Sequence, residues 1–178
     1  AYPEESGSRT GETSVAMMKN AGAEYVILGH SERRHMETKA DVARKVTAVL
    51  EHGMVPIICV GEEARDKNWK KNLAQQLKDV FNRVPKKEPE NIIVAYEPIW
   101  AISSDKKTPA TSTEYMEALE VIRKELQKIF KTAKAVEKIR FLYGGSLDDK
   151  NIEDFLRHAE VNGFLVGRVS HDPRILMT

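Results

Sequence analysis

The sequence predicts an α/β fold built on a parallel sheet, and two of its features carry that prediction. Five short, nearly continuous apolar runs recur along the chain, and longer amphipathic stretches separate them. The runs are rich in β-branched and aromatic residues, as strands covered on both faces should be. At 178 residues the chain is long enough for one domain with a sizeable core, so residues 1–178 are read as a single domain.

The elements follow in order. Val15, Met18 and Ala21 mark a short first helix, which Gly22 ends before the strand run Tyr25-Val26-Ile27-Leu28. Val42, Val46, Val49 and Leu50 recur at helical spacing, and Gly53 separates them from the run Val55-Pro56-Ile57-Ile58-Cys59-Val60. Trp69, Leu73, Leu77, Val80, Phe81 and Val84 form one apolar stripe, with Lys70, Lys71, Lys78 and Asp79 off it. The aromatic members of that stripe are read as core that packs on the sheet. The charged segment from Pro85 to Glu90 is an ordinary loop before the run Ile92-Ile93-Val94-Ala95-Tyr96. Thr111-Ser112-Thr113-Glu114 has the form of a capping box, and Tyr115, Leu119, Ile122, Leu126 and Ile129 continue as the stripe of the helix it opens. Ile139 to Tyr143 and Gly163 to Val166 supply the last two strand runs.

Composition narrows the partners. Lys and Arg number 28 against 27 Asp and Glu, a formal net charge of +1, so no global field draws nucleic acid or an acidic membrane. The single cysteine, Cys59, has no intramolecular disulfide partner and fits a reducing, cytoplasmic setting. Neither a secretory leader pattern nor a run of about 18 apolar residues is present in the sequence. The start at Ala1-Tyr2-Pro3 fits either processing or a chain whose beginning lies upstream.

In a parallel sheet, ligands gather at the carboxyl ends of the strands. Those ends carry Gly29-His30-Ser31-Glu32-Arg33-Arg34, Gly61-Glu62, Glu97-Pro98-Ile99-Trp100, Gly144-Gly145-Ser146 and Gly167-Arg168-Val169-Ser170. Taken singly, a histidine after a strand or a Gly-Gly turn is ordinary. Together they place an imidazole, a carboxylate and glycine-rich turns with free amides on one rim. That set suits proton abstraction beside a carbonyl on a small phosphorylated substrate.

Three long segments go further. Tyr25 to Arg34, Ala95-Tyr96-Glu97-Pro98-Ile99-Trp100-Ala101-Ile102 and Leu142-Tyr143-Gly144-Gly145-Ser146 closely resemble the signature segments of the triosephosphate isomerase family, in the family's order. Cys59-Val60-Gly61-Glu62 and Leu165-Val166-Gly167 add shorter matches, so the resemblance covers nearly everything from Thr10 onward. It implies a partial (β/α) barrel of about five strand-helix units, corresponding to the later part of an eightfold barrel that needs ~250 residues. Glu97 would then be the base, and His30 the electrophile acting as a neutral imidazole, as the family's known chemistry has it. The amino end of a following helix would disfavour the imidazolium.

Glu32 resembles the family's glutamate beside the site, and equally suits a salt bridge to Arg33 or Arg34. Pro98, Ile99 and Trp100 look like the hinge of a lid that excludes water, with Glu62 as hydrogen-bond partner of the Trp100 indole. Ser103, Gly144, Gly145, Ser146, Gly167 and Arg168 would hold the substrate phosphate. The resemblance implies a phosphorylated triose as substrate, a homodimer with the loop near Thr10-Gly11-Glu12 facing the neighbour, and neither metal nor organic cofactor.

The chain also departs from the family. No residue matches the lysine that follows the family's first strand, and neither Lys39 nor Lys106 stands in its place. Ser103-Ser104-Asp105-Lys106-Lys107 replaces a glycine-containing lid tip, and Arg168 replaces a common glycine, where its side chain either crowds the phosphate or, the favoured reading, points away while its amide still donates. A rival expectation follows: a catalytically inactive, truncated barrel kept as an assembly or binding module. A barrel isomerase for another sugar phosphate is a second alternative.

Overall fold

The structure of the chain is a computed structural model that describes residues 1–5, 7–85, 89–102 and 108–172, without the side chains of residues 168 and 169. Four strands, β1 (Tyr25–Leu28), β2 (Val55–Val60), β3 (Ile93–Tyr96) and β4 (Arg140–Tyr143), form one sheet in the order β1-β2-β3-β4. All three pairings are parallel, in the register Leu28↔Ile58, Val60↔Tyr96 and Tyr96↔Tyr143 at the carboxyl ends. Consecutive strands lying side by side in one direction require a crossover between each pair, and helices supply it.

Six helices are described: α1 (Val15–Asn20), α2 (Lys39–Glu51), α3 (Trp69–Phe81), α4 (Ser112–Phe130), α5 (Ala133–Glu137) and α6 (Ile152–Leu156). Two of the long helices, α2 and α4, are opened by their own cap residues. In α2 and α4 the caps Thr38 and Thr111 accept from the amides of Asp41 and Glu114, whose carboxylates accept in return from the cap amides, so both helices open with complete capping boxes. Past α1 and α2 the chain reverses through Gly22 and Gly53 at φ +89° and +67°, a region open to glycine and strained for other residues.

The apolar stripes bury as their spacing predicts. Val42, Val46 and Val49 of α2, Leu73, Leu77, Val80 and Phe81 of α3, and Tyr115, Leu119, Ile122 and Leu126 of α4 join Ile58, Val60, Val94 and Tyr96 in one core. At the end of α4 the buried residue is Phe130, which meets Phe81 edge to face at 6.2 Å, while Ile129 is half-buried. Tyr115, Tyr143 and Phe155 extend this core under β4, the last two stacked at 4.2 Å.

The fifth strand run is reduced. Residues 163–166 lie parallel to β4 but are joined to it by the single bridge Tyr143↔Phe164. The ladder stops there because the Asn162 side chain, not a backbone carbonyl, takes the Phe141 amide at 2.8 Å. At the opposite margin, β1 pairs only with β2 among the described residues, and its Tyr25 and Ile27 are 50% and 49% exposed.

Candidate active site

β1 and β3 deliver the two reactive side chains to one end of the sheet. Glu97 follows the fully buried β3 and is itself 1% exposed. Its backbone is fixed from below: Glu97 N donates to the Val60 carbonyl at 2.7 Å, and a Cβ on Gly61 would stand 1.9 Å from the Glu97 carbonyl oxygen. Only glycine fits at 61. The carboxylate is held at Oε2, which accepts from the Ser31 amide at 2.8 Å and faces Arg34 Nη2 at 3.6 Å. Oε1 lies 3.0 Å from His30 Nε2 without hydrogen-bond alignment, and so remains a buried carboxylate oxygen with no hydrogen-bond partner.

Burial raises the affinity of Glu97 for a proton, and the proximity of His30, the charge of Arg34, the Ser31 amide and the Cys59 thiol act against that rise. Cys59 is itself pushed well above its ordinary range, mainly by burial and then by the Glu97 charge, so it stays a thiol.

The tautomer of His30 is set by the backbone. His30 caps a single 3₁₀ turn, Ser31–Arg33, and its Nδ1 accepts from the Glu32 amide at 3.3 Å. A ring nitrogen that accepts from an N–H carries no proton, so a neutral ring carries its proton on Nε2, toward Glu97. The helix expected after His30 is a single 3₁₀ turn of three residues, Ser31–Arg33.

Glu32 makes neither expected salt bridge. Its side chain is 88% exposed and reaches no closer than 4.0 Å to His30 Nδ1, while Arg33 pairs with Glu12 and Glu37. Arg34 turns inward instead, donating from Nη1 to the Gly61 carbonyl at 2.7 Å and from Nε to the Gly29 carbonyl at 3.4 Å. The loop at Thr10 to Glu12, expected at a partner's surface, is exposed and tied to its own chain through Glu12 and Arg33.

The segment after Glu97 is anchored at Glu62. The Trp100 indole donates to Glu62 Oε1 at 2.9 Å, the Tyr96 hydroxyl donates to the same oxygen at 2.7 Å, and Ile99 N donates to the Glu62 carbonyl at 3.1 Å. Pro98 accepts from the amides of Ala101 and Ile102 and closes the turn. Arg65, absent from the sequence reading, packs its guanidinium over Trp69 at 3.9 Å and donates to Glu62, Tyr96 and Glu117. Ser103 and the lid tip through Lys107 lie outside the described residues.

On the far rim, Gly144 brings a correction. Its amide donates to the Tyr96 carbonyl at 2.8 Å and is committed to the sheet, so it is no anion donor. Glycine is needed at 144 for closeness, because a Cβ there would meet Glu97 Cγ at 3.2 Å. The Ser146 hydroxyl donates to the Ala101 carbonyl at 3.2 Å and ties this turn to the hinge segment. Gly145, Ser146 and Gly167 stand at the ends of β4 and of residues 163–166, and Arg168 opens a 3₁₀ turn through His171. Lys39, set aside as a phosphate ligand, pairs with Asp79 at 3.4 Å. Among the described residues no helix is long and apolar enough to cross a membrane.

Fold and site together define a segment of a parallel α/β barrel that carries a buried carboxylate beside an imidazole at its strand ends. The sequence model of the triosephosphate isomerase family matches residues 1–178. The chain is 42% identical over 169 residues to the triosephosphate isomerase of Mycoplasma capricolum, covering 92% of this chain and 67% of the relative. To that of Aquifex aeolicus it is 40% identical over 175 residues, covering 96% and 69%. To that of Emericella nidulans it is 37% identical over 177 residues, covering 97% and 70%. The chain belongs to the triosephosphate isomerase family.

Proposed function

We propose that the protein interconverts dihydroxyacetone phosphate and glyceraldehyde 3-phosphate by proton transfer through an enediolate. The observation that carries this reading is the state of Glu97: a buried carboxylate with Oε2 anchored by the Ser31 amide and Oε1 unpartnered beside His30 Nε2. A base needs one oxygen held and the other available. Glu97 takes a proton from one substrate carbon and returns it to the neighbouring one, which restores the carboxylate each cycle. His30 donates from Nε2 to the two substrate oxygens in turn as charge moves between them. Burial supports Glu97 in this work, because a desolvated carboxylate holds a proton more readily than one in water.

At 1% exposure Glu97 rests out of contact with solvent, so its side chain has to turn toward the opening between the strand ends to reach a carbon. The hinge residues Pro98, Ile99 and Trp100, anchored on Glu62, follow directly and couple that turn to closure of the segment beyond. Gly145, Ser146, Gly167 and Arg168 hold the phosphate from the β4 side, and Ser103 from the lid. Glu32 acts through the amide that fixes the His30 tautomer. The substrate is a phosphorylated triose, and the working unit is a cytoplasmic homodimer with residues 1–178 as one domain of each copy.

A coupled assay in both directions tests the reading, with Glu97→Gln as the decisive variant. Loss of a positioned base is expected to lower kcat by at least ~10²-fold with little change in KM. Turnover by the variant equal to that of the wild type would remove Glu97 from the reaction. Absence of turnover in the wild-type chain would favour the second reading, a barrel segment that serves in assembly or binding.

A further inference from the structure

We propose that Arg34 is the positioning residue of the base: it clasps the two loops that meet beneath Glu97 and holds the carboxylate in register with His30. The inference rests on the reading of Glu97 as the base and concerns a residue which that reading does not use.

Three contacts of one guanidinium carry it. Nη1 donates to the Gly61 carbonyl after β2, Nε donates to the Gly29 carbonyl after β1, and Nη2 lies 3.6 Å from Glu97 Oε2 after β3. The planar fork of arginine can serve three directions at once, which a lysine ammonium on a flexible stem does far less well. Gly61 is the residue whose missing Cβ lets the Glu97 backbone approach, so the clasp acts on the very loop that locates the base. Nη2 is buried and makes no hydrogen bond, which leaves its charge directed at the carboxylate. Burial lowers the proton affinity of Arg34 and the Glu97 charge acts against that change, so the two groups support each other's ionised forms.

Among the described residues the other groups facing Glu97 are few. His30 comes from the loop after β1, Cys59 from β2 as a neutral thiol, and β4 contributes Gly144, which brings no charge. Glu62 and Glu63, after β2, act on Arg34. Arg34 is therefore the one side chain in this set that is cationic in every working state of the site. Its outer side lines a cavity of about 400 Å³ shared with Cys59, Val42 and Leu73, where a shorter side chain would admit water toward Glu97.

The test titrates Glu97 directly, by carbon NMR of the side-chain carboxyls with the signal assigned by its loss in Glu97→Gln. In Arg34→Gln the midpoint is expected to rise by about one pH unit, as removal of a close cation implies, and in Arg34→Lys by less than half as much. Arg33→Gln, one residue away and paired with Glu12 and Glu37, is expected to leave the midpoint in place. A midpoint in Arg34→Gln within about 0.2 unit of the wild type would overturn the proposal, as would an equal shift in Arg33→Gln. The wild type supplies a readout that needs no variant to fold: the Arg34 guanidinium proton resonances must move with the Glu97 midpoint, and resonances that ignore it overturn the proposal equally. None of these readings needs turnover, so an inactive wild type would count against the proposed reaction while leaving the clasp to be judged on its own result.

Discussion

Glu97 works against the stability of the chain that holds it, and the sign of that conflict can be read at the residue. The carboxyl starts from an ordinary value of 4.5 and is raised in the fold, with burial as the largest cause. The folded chain therefore binds this proton more tightly than the unfolded chain, and stability falls as pH rises through the interval between the two values. Above that interval an ionised carboxylate sits buried, with Oε1 unpartnered. Glutamine keeps the volume and an acceptor for the Ser31 amide without the charge. Glu97→Gln is thus expected to unfold at higher urea concentration than the wild type at neutral pH, the gap closing as pH falls toward 4.5. Paired urea titrations at several pH values check this. A variant less stable than the wild type at neutral pH would mean that its ion pair with Arg34 outweighs the cost of burial. The expected result, a Glu97→Gln chain that is more stable but has lost turnover, sets activity against stability at one side chain.

At the scale of elements, α4 shows how separate local choices set one helix. Its amino end is closed by the Thr111–Glu114 capping box, and its carboxyl end turns through Lys131 at φ 61°, the one left-handed residue other than glycine among those described. The two ends predict opposite effects. Thr111→Ala removes a cap and is expected to cost about 1 kcal/mol, whereas Lys131→Gly relieves left-handed strain and is expected to gain about 0.5 kcal/mol after the entropy of glycine is charged against it. Urea midpoints of the two single variants and the double variant measure both, and the effects should add because the ends lie far apart. The cap at Thr111 was legible in the sequence, as were the stripes of α2, α3 and α4 and the first four strands, since each rests on spacing within one segment. What escaped is non-local. Asn162 shortens the fifth strand through its side chain, and Arg34 and Arg65 reach residues dozens of positions away. Arg33 and Arg34 are neighbours in sequence, yet one faces Glu12 and Glu37 while the other turns under Glu97, a division that no pattern of charges along the chain reveals.

For the molecule as a whole, the site and the sheet edge stand in different conditions. The rim that carries His30 and Glu97 is supported from β1, β2, β3 and β4 together, which is why its residues appeared in the sequence as a list of strand ends. The outer margin of β1 has no such support among the described residues: Tyr25 and Ile27 are half-exposed beside backbone groups that no neighbouring strand engages. An apolar edge of this kind templates pairing with another chain, and a net charge of +1 supplies little repulsion to oppose it. The 178-residue chain is therefore expected to self-associate as its concentration rises, with β1 as the contact. A lysine at a half-exposed edge position blocks pairing without touching the buried positions Val26 and Leu28, so Ile27→Lys is expected to suppress the concentration-dependent rise in sedimenting mass and leave the urea midpoint nearly unchanged. Tyr25→Lys should act in the same direction, while a lysine at the still more exposed Met36, beyond the strand, should not. If the wild type sediments as a monomer throughout, the edge is protected by something other than charge. If Met36→Lys acts as strongly as Ile27→Lys, the association is a general response to surface charge and the edge of β1 is not its site.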